Sequence, residues 1–588
     1  MSLPGQKDKF TPELRILVAS LLSVGVILLW AKFFGPKPPA QLPQANRPVQ
    51  TAPATSGPAS STPAPAAAQP PPAVAKMAAI APSNIVAKSD SQERTVVIEN
   101  DLYRVEISNR GAVVKSWQLK HYQDDAKPPR VLDVVHPEAA QQTGGWPFAL
   151  VLDDEQLGKA ANDGLYKISP DGGTLRAPAD AEFAWSDGHL EVTKRFKFDH
   201  TYVVRVETSV KLDGKPITAG IGWLGGFGDW TVTNPAPVET VNVYYSEGGK
   251  ITSLPHKKLD GLDKWVPGAW QGGKDFVGIE DRYFTAAFLP TGGGASTPLQ
   301  ARYWKAWRSV KVDGQDASEP VPQVATATSA QPLALRVYVG PKDYDDLKRM
   351  NPPLHGLINF GWLEFIAEPL FHGLKWLHKY IPNWGWAIVV LTLIINTLLF
   401  PLRISSYKTT LKMQRVAPEI KAIQEKYKKY SMRDPRKAEM NKEVMAIYQR
   451  EGINPVGGCF QMFLQMPVWF GLNTALRFAI EMRHAPWLWI TDLSSKDPYY
   501  ILPVLMGASM YIVSKMTPMT ATDPQQQMMM KIMPISMAAI FMISPISSGL
   551  AVYILTSSVV GIAQQWYLNR RHPLPAQAPV KATRGKKS

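Results

Sequence analysis

Thr392 and Asn396 stand four residues apart inside the uncharged apolar run 384–402, so they share one helix face. Arg403 lies eleven residues beyond Thr392, about three turns, and continues that face unless Pro401 kinks the helix. Gln461 and Gln465 repeat the spacing in the next apolar run, with Asn473 beyond, and Thr556, Ser557, Ser558, Gln564 and Gln565 mark the last. No covalent chemistry follows from these groups. They offer hydrogen bonds and hydration at a depth where a lipid-facing polar side chain is costly, so they should face one another or water. Two readings stand. One is interhelical hydrogen-bond glue, worth about 0.6 kcal/mol per contact; the other is the wall of a wet groove. Ten methionines between Met506 and Met542 add unbranched, polarizable surface, suited to ordinary packing or to apolar partners of varied shape.

Other chemistries find less support. A single cysteine, Cys459, excludes an internal disulfide framework and a cysteine-based metal site. The ten histidines show no metal-ligand spacing, so no metal or cofactor is expected. Glu280 and Asp281 could be drawn as a carboxylate pair for glycoside chemistry, but solvated strand-end charges are the preferred reading. The apolar runs hold no Ser/Lys or Ser/His constellation and no Asp/Glu/His relay, against an intramembrane protease or a proton-coupled pump. The chain reads as a non-enzyme.

The elements that must position the polar groups follow from charge and hydropathy. The 588 residues carry a net charge of +15. Thirteen Lys/Arg against five Asp/Glu fall in 403–450, and six with no acid fall in 570–588. Both stretches adjoin long apolar segments, which points to a membrane before nucleic acid. Apolar runs at 16–31, 384–402, 456–476 and 498–514, with 525–569 folded as a hairpin about the turn 544–549, give six transmembrane helices. The first reads as an uncleaved anchor, with a signal peptide as the alternative. The basic loop 403–455 belongs in the cytoplasm by the positive-inside rule. The loop 481–497, with Arg483 and Lys496 against Glu481, Asp492 and Asp497, belongs opposite. Both termini are then cytoplasmic and residues from about 36 to 380 lie outside.

The expected organisation is an anchor at 1–35, a disordered Pro/Ala-rich linker at 36–90, and an all-β sandwich at 91–345. An interfacial amphipathic helix at 346–382, a transmembrane helix at 383–402, a cytoplasmic helical hairpin at 403–455, four further transmembrane helices in 456–569 and a basic tail at 570–588 follow. Thirteen prolines between Pro36 and Pro82 mark the linker. Val204, Val206, Thr208 and Val210 alternate with polar residues as a half-buried strand should, and 283–289 is apolar on both faces. In the hairpin, Val416, Ile420, Ile423, Tyr427 and Tyr430, then Met440, Val444 and Ile447, step by fours and threes as a narrow seam. Asp434 caps its second helix, with Pro435 in the first turn and Gly452 at its end. Lys426, Lys428, Lys429, Arg433, Arg436 and Lys437, with Arg584, Lys586 and Lys587 in the tail, face outward. They mark a solvated connector or an arm that contacts ribosome or anionic lipid.

Several motifs in fixed order also resemble a family. Asn454-Pro455-Val456-Gly457-Gly458-Cys459-Phe460 followed by Gln465-Met466-Pro467 resembles the third-span signature of the YidC/Oxa/Alb membrane protein insertases. Asp497-Pro498-Tyr499-Tyr500-Ile501-Leu502-Pro503, Thr522-Asp523-Pro524 and Ser548-Gly549-Leu550 resemble its later segments. Tyr338-Val339-Gly340-Pro341 and Phe360-Gly361-Trp362-Leu363 resemble the junction before the second span in Gram-negative members. The resemblance implies a five-helix insertase core plus an N-terminal anchor in the bacterial inner membrane, with a periplasmic β-supersandwich of sugar-mutarotase shape. It implies an insertase and chaperone for newly made membrane proteins, active as a monomer, alone or beside the Sec translocon. Ribosome and membrane lipids are further partners. The implied substrate groove is hydrophilic, open to cytoplasm and lipid, and would be lined by Thr392, Asn396, Arg403, Gln461, Gln465, Trp469, Asn473, Met506 and Tyr553. The chain departs from the pattern at Asn396, where the family carries Arg or Lys. It also departs at Ile554 (second tyrosine of a pair), Gln461 (Pro) and Trp469 (Phe). A groove working by hydration and bilayer thinning, not by a fixed charge, follows. The alternative is a channel or solute transporter, which would show inverted repeats and paired broken helices; neither is present in the sequence.

Overall fold

The computed structural model describes residues 86–231, 241–259, 270–292, 298–312, 315–328, 332–430, 434–454, 460–517, 532, 536–537, 539–542 and 546–572. The expected anchor, nearly all of the linker, the tail from 573 and Arg433, Arg584, Lys586 and Lys587 lie outside them.

Strands between Thr95 and Pro341 form sheets of five, ten and five strands among the described residues. The period-two pattern places its apolar set inward as expected: in Val203–Leu212, Val204, Val206, Thr208 and Val210 are buried and Arg205 and Lys211 exposed. Phe284–Pro290, apolar on both faces, pairs with Phe276–Glu280 on one side and Leu333–Pro341 on the other, well inside the ten-stranded sheet. The three sheets meet over one aromatic core. Trp117 of the first lies 6.3 Å from Phe198 of the second and 6.4 Å from Trp223 of the third.

One lysine turns into that core. Lys194 is buried, and its ammonium donates to the carbonyls of Gly111 (2.7 Å), Phe148 (2.8 Å) and Ala112 (3.3 Å). Burial lowers its pKa from 10.5 to about 7. The unfolded chain holds that proton to about pH 10. Between about pH 7 and 10 the unfolded state therefore binds more protons, and stability rises with pH. Lys194→Met abolishes this slope and, by removing a donor shared by three carbonyls, costs about 1–3 kcal/mol. Urea unfolding at pH 7 and pH 9 measures both.

The structure corrects the reading of Glu280 and Asp281 as solvated strand-end charges. Glu280 is buried and ion-paired with buried Lys342 at 3.0 Å. Asp281 accepts from the backbone N–H of Tyr283 (2.7 Å) and Phe284 (2.6 Å). Burial raises the pKa of each. Both sit at the end of an interior strand, where a neighbouring loop covers them, and their separate partners leave no catalytic pair.

The helical part begins later than expected. A short helix, Tyr344–Arg349, and two 3-10 turns precede α1 (Glu364–His378). The face Ala367, Phe371, Leu374 and Leu377 is buried, while Phe365 and Trp376 are exposed. α2 (Trp384–Lys426) does not end at Leu402; it runs through Pro401 and Pro418 for 43 residues. Proline removes one backbone donor without requiring a break when neighbours re-satisfy the backbone. Among the described residues α2 is the one helix both long and apolar enough to cross a membrane by length and composition. After α3 (Arg436–Arg450) come α4 (Phe460–Phe478), α5 (Ile501–Met516) and α6 (Ser548–Arg571). α1 lies tightly on α4: a Cβ at Gly471 would stand 3.0 Å from Ile366 Cγ2.

Residues 419–447 form part of a separate unit. Its seam is as expected, with Ile420, Tyr427 and Ile447 buried. Asp434 Oδ1 accepts from the Arg436 N–H at 3.0 Å.

Candidate functional site

α2, α4 and α6 carry a ladder of polar side chains. Thr392 is fully buried and its hydroxyl donates to the Ile388 carbonyl of its own helix (2.7 Å). Asn396 Nδ2 donates to the Thr392 carbonyl (2.9 Å) and across to Ser557 Oγ on α6 (3.3 Å). Gln564 Nε2 returns a bond to the Asn396 carbonyl (3.2 Å). Two turns below Asn396, Arg403 Nη1 donates to Gln564 Oε1 (2.9 Å) and Nη2 to the Gly561 carbonyl (3.3 Å). The guanidinium lies against Gly561, where a Cβ would stand 3.4 Å from Nη1, in ordinary contact. On the other flank Gln465 Nε2 of α4 donates to the buried Tyr553 hydroxyl of α6 (2.7 Å), and Ser557 is one turn further along α6.

The structure thus joins Thr392, Asn396, Arg403, Gln465 and Tyr553 with Ser557 and Gln564. Gln465, Arg403, Ser557 and Gln564 remain only half-buried. The seam holds a cation after all, at Arg403 and not at 396. Its groups are paired with one another, as hydrogen-bond glue would be. Trp469 is half-buried with its ring 4.6 Å from Phe470. The Gln461 side chain lies outside the description. Two candidates are elsewhere. Met506 is fully buried in α5, with no surface to offer. Asn473 lines a cavity at the other end of α4, beside the β region. Tyr407 extends the ladder one turn past Arg403, its hydroxyl donating to Asn569 Oδ1 (2.8 Å). Continuing the Thr392–Asn396–Arg403 face by four residues would have found it. Gln565 shares that Asn569 Oδ1 (3.0 Å) and also donates to the Met516 carbonyl of α5, linking the ladder's end to α5.

The basic candidates divide as well. Lys426 pairs with Glu443 at 3.0 Å, and Arg436 with Asp434 at 2.8 Å, its guanidinium 3.7 Å from the Tyr430 ring centre. Lys437 is half-buried near Met440. Lys428 and Lys429 are exposed.

The loop between α4 and α5 ties the helices to the β region. Arg483 Nη2 donates to Asp229 and, at 3.3 Å, to Asp125, while His484 Nε2 meets Asp125 at 2.9 Å. Burial pushes the Asp125 carboxyl up, but His484 and Arg483 outweigh it and hold the group below its ordinary pKa. Lys375 of α1 bridges Asp345 (2.7 Å) and Glu481 (3.3 Å). Around these helix ends stand Trp376, Tyr380, Trp386, Tyr499 and Tyr500, all exposed, the aromatic composition of a membrane–water boundary.

Known proteins match this architecture in both halves. The family model described as "YidC periplasmic domain" matches residues 95–373, and "60Kd inner membrane protein" matches 376–575. The membrane protein insertase YidC of Geobacter metallireducens is 32% identical over 95% of this chain and 98% of its own length. That of Citrifermentans bemidjiense is 33% identical over 95% and 99%. A solved structure entitled "Active YidC insertase crystal structure with the first transmembrane domain resolved" aligns over 82% of this chain and 94% of its own, at 16% identity and a TM-score of 0.34. With relatives this similar along nearly their full length, the chain belongs to the family of YidC membrane protein insertases.

Proposed function

We propose that the protein inserts newly made proteins into the bacterial inner membrane, and that the polar ladder of α2, α4 and α6 receives the client. Family membership carries the function; the ladder, with four half-buried polar groups on otherwise apolar helices, supports the place. A client's polar segment takes up hydrogen bonds along the seam, crosses a barrier thinned by hydration, and burial of its apolar helix in lipid supplies the drive. Arg403 holds a cation near the cytoplasmic end of the seam, and insertion proceeds through binding and burial alone, without bond-making chemistry.

The proposed topology has six spans with both termini in the cytoplasm, the β region outside and α1 lying on the outer surface. The exposed Phe365, Trp376 and Tyr380 suit such an interfacial position. Single cysteines at 250 and 430 test it: a membrane-impermeant reagent applied from outside should label 250 and spare 430, and the reverse pattern overturns it. The exposed Lys428 and Lys429 supply ribosome or lipid contact from the hairpin, and ribosome binding without salt dependence counts against that role. The protein acts as a monomer, alone or beside the Sec translocon. The deciding experiment is insertion of a short coat-type client into proteoliposomes holding this protein and no Sec components. Client protected from protease only when the protein is present supports the reading; equal protection in empty liposomes removes it.

A further inference from the structure

A cavity of about 1080 Å³ opens between the β region and the shared ends of α4 and α6. Asn473 and Arg477 come from the last turns of α4, Ser494, Ser495 and Lys496 from the loop before α5, and Ile546, Ser547 and Leu550 from the start of α6. Its charged lining comprises Lys127, Arg282, Arg308, Arg477, Arg483 and Lys496 against Asp125, Asp229, Asp281 and Glu319. The acids are all engaged. Asp125 and Asp229 hold Arg483, Glu319 accepts from Arg308 at 2.7 Å, and Asp281 takes backbone N–H groups. Among the described lining residues cations exceed acids, which favours an anion.

A second observation points to a ligand. The Arg483 side chain is only 5% exposed, and its Nη2 serves both aspartates, yet its Nη1 is buried with no hydrogen-bond partner among the described residues. A desolvated guanidinium N–H without an acceptor is costly, and Arg483 lines the cavity. Guanidinium and ammonium donors converging from separate elements suit the several oxygens of a phosphate better than one carboxylate. The floor lies at the ends of α4 and α6, and the loop that carries Lys496 continues to the exposed Tyr499 and Tyr500, residue types that favour headgroup depth.

We propose that this cavity binds the phosphate headgroup of an anionic phospholipid from the outer leaflet, with Arg483 Nη1 as its buried donor and Ile546 and Leu550 beside the glycerol. The inference rests on the proposed topology, which the labelling experiment tests separately. An acidic segment of a translocated client is the competing occupant.

The test is native mass spectrometry of the full-length protein in detergent, titrated with phosphatidylglycerol, phosphatidylcholine, inorganic phosphate and an acidic peptide in parallel. One phosphatidylglycerol should bind at least about tenfold more tightly than phosphatidylcholine, the effect of one charge-assisted hydrogen bond. Arg483→Lys keeps a cation for the aspartates but loses the Nη1 donor, and should weaken phosphatidylglycerol about tenfold. Lys496→Gln, on an exposed-edge loop, should weaken it severalfold at an unchanged melting temperature. Equal binding of the two lipids overturns the proposal, as does unchanged binding in both variants. Inorganic phosphate binding as tightly as the lipid would make it a free-phosphate site, and displacement of lipid by the peptide alone would assign it to the client; either result also overturns it.

Discussion

Asn396→Leu lowers insertion of the coat-type client about tenfold, whereas Asn396→Arg leaves it within about twofold. The leucine removes the donor to Ser557 Oγ at a buried position of the seam. Ser557 keeps Tyr553 as a side-chain partner, so the loss is one interhelical hydrogen bond and the hydration around it, about 0.5–1.5 kcal/mol, and 1.4 kcal/mol is a factor of ten. An arginine keeps donors at the same place and, being two turns from Arg403, does not crowd it. Initial rates in proteoliposomes at matched protein density are the measurement. Equal rates for the two variants would show that neither hydration nor hydrogen bonding at this level governs entry.

Arg483→Met destabilises the protein by about 3 kcal/mol and is partly rescued by Asp229→Asn. Arg483 and Asp229 are 5% and 6% exposed, so removing one partner strands a buried charge. Asp125, at 38% exposed, keeps its solvent and adds less. The rescue distinguishes a stranded carboxylate from simple loss of packing, because the second substitution restores no contact yet removes the charge. Unfolding midpoints of the two single variants and the double variant form the cycle. A double variant less stable than Arg483→Met alone would refute the account.

Much of the fold was legible because its signals are periodic. Strand alternation around Val204–Val210 and the 4-3 stepping from Ile420 to Ile447 depend on local burial alone, which sequence spacing reports directly. The face joining Thr392, Asn396 and Arg403 was legible for the same reason. The run 384–402 was closed by the charge of Arg403, which marks where the apolar stretch ends and not where the helix does. Glu280 and Asp281 looked solvated because charge was taken as exposure; the Lys342 that neutralises Glu280 lies just past the end of a strand, 62 residues later. Arg483 was counted only as a loop charge, and its partner Asp229 is 254 residues away. Asn473 obeyed the helical spacing but stands about two turns from Gln465, where spacing says nothing about depth. Met506 shows that a soft side chain at a suggestive place can simply be core.

The mutual pairing of the ladder has a consequence for selectivity. Six hydrogen bonds tie α2 and α4 to α6: Asn396 to Ser557 and Gln564, Arg403 to Gln564 and Gly561, Tyr407 to Asn569 and Gln465 to Tyr553. At about 0.6 kcal/mol each, parting them costs about 3.6 kcal/mol, so thermal motion unzips the seam in roughly one molecule in several hundred. A guest backbone that replaces those contacts bond for bond meets almost no net penalty and needs no particular sequence. Recognition of that kind is permissive by construction, which lets one small machine serve many unrelated passengers.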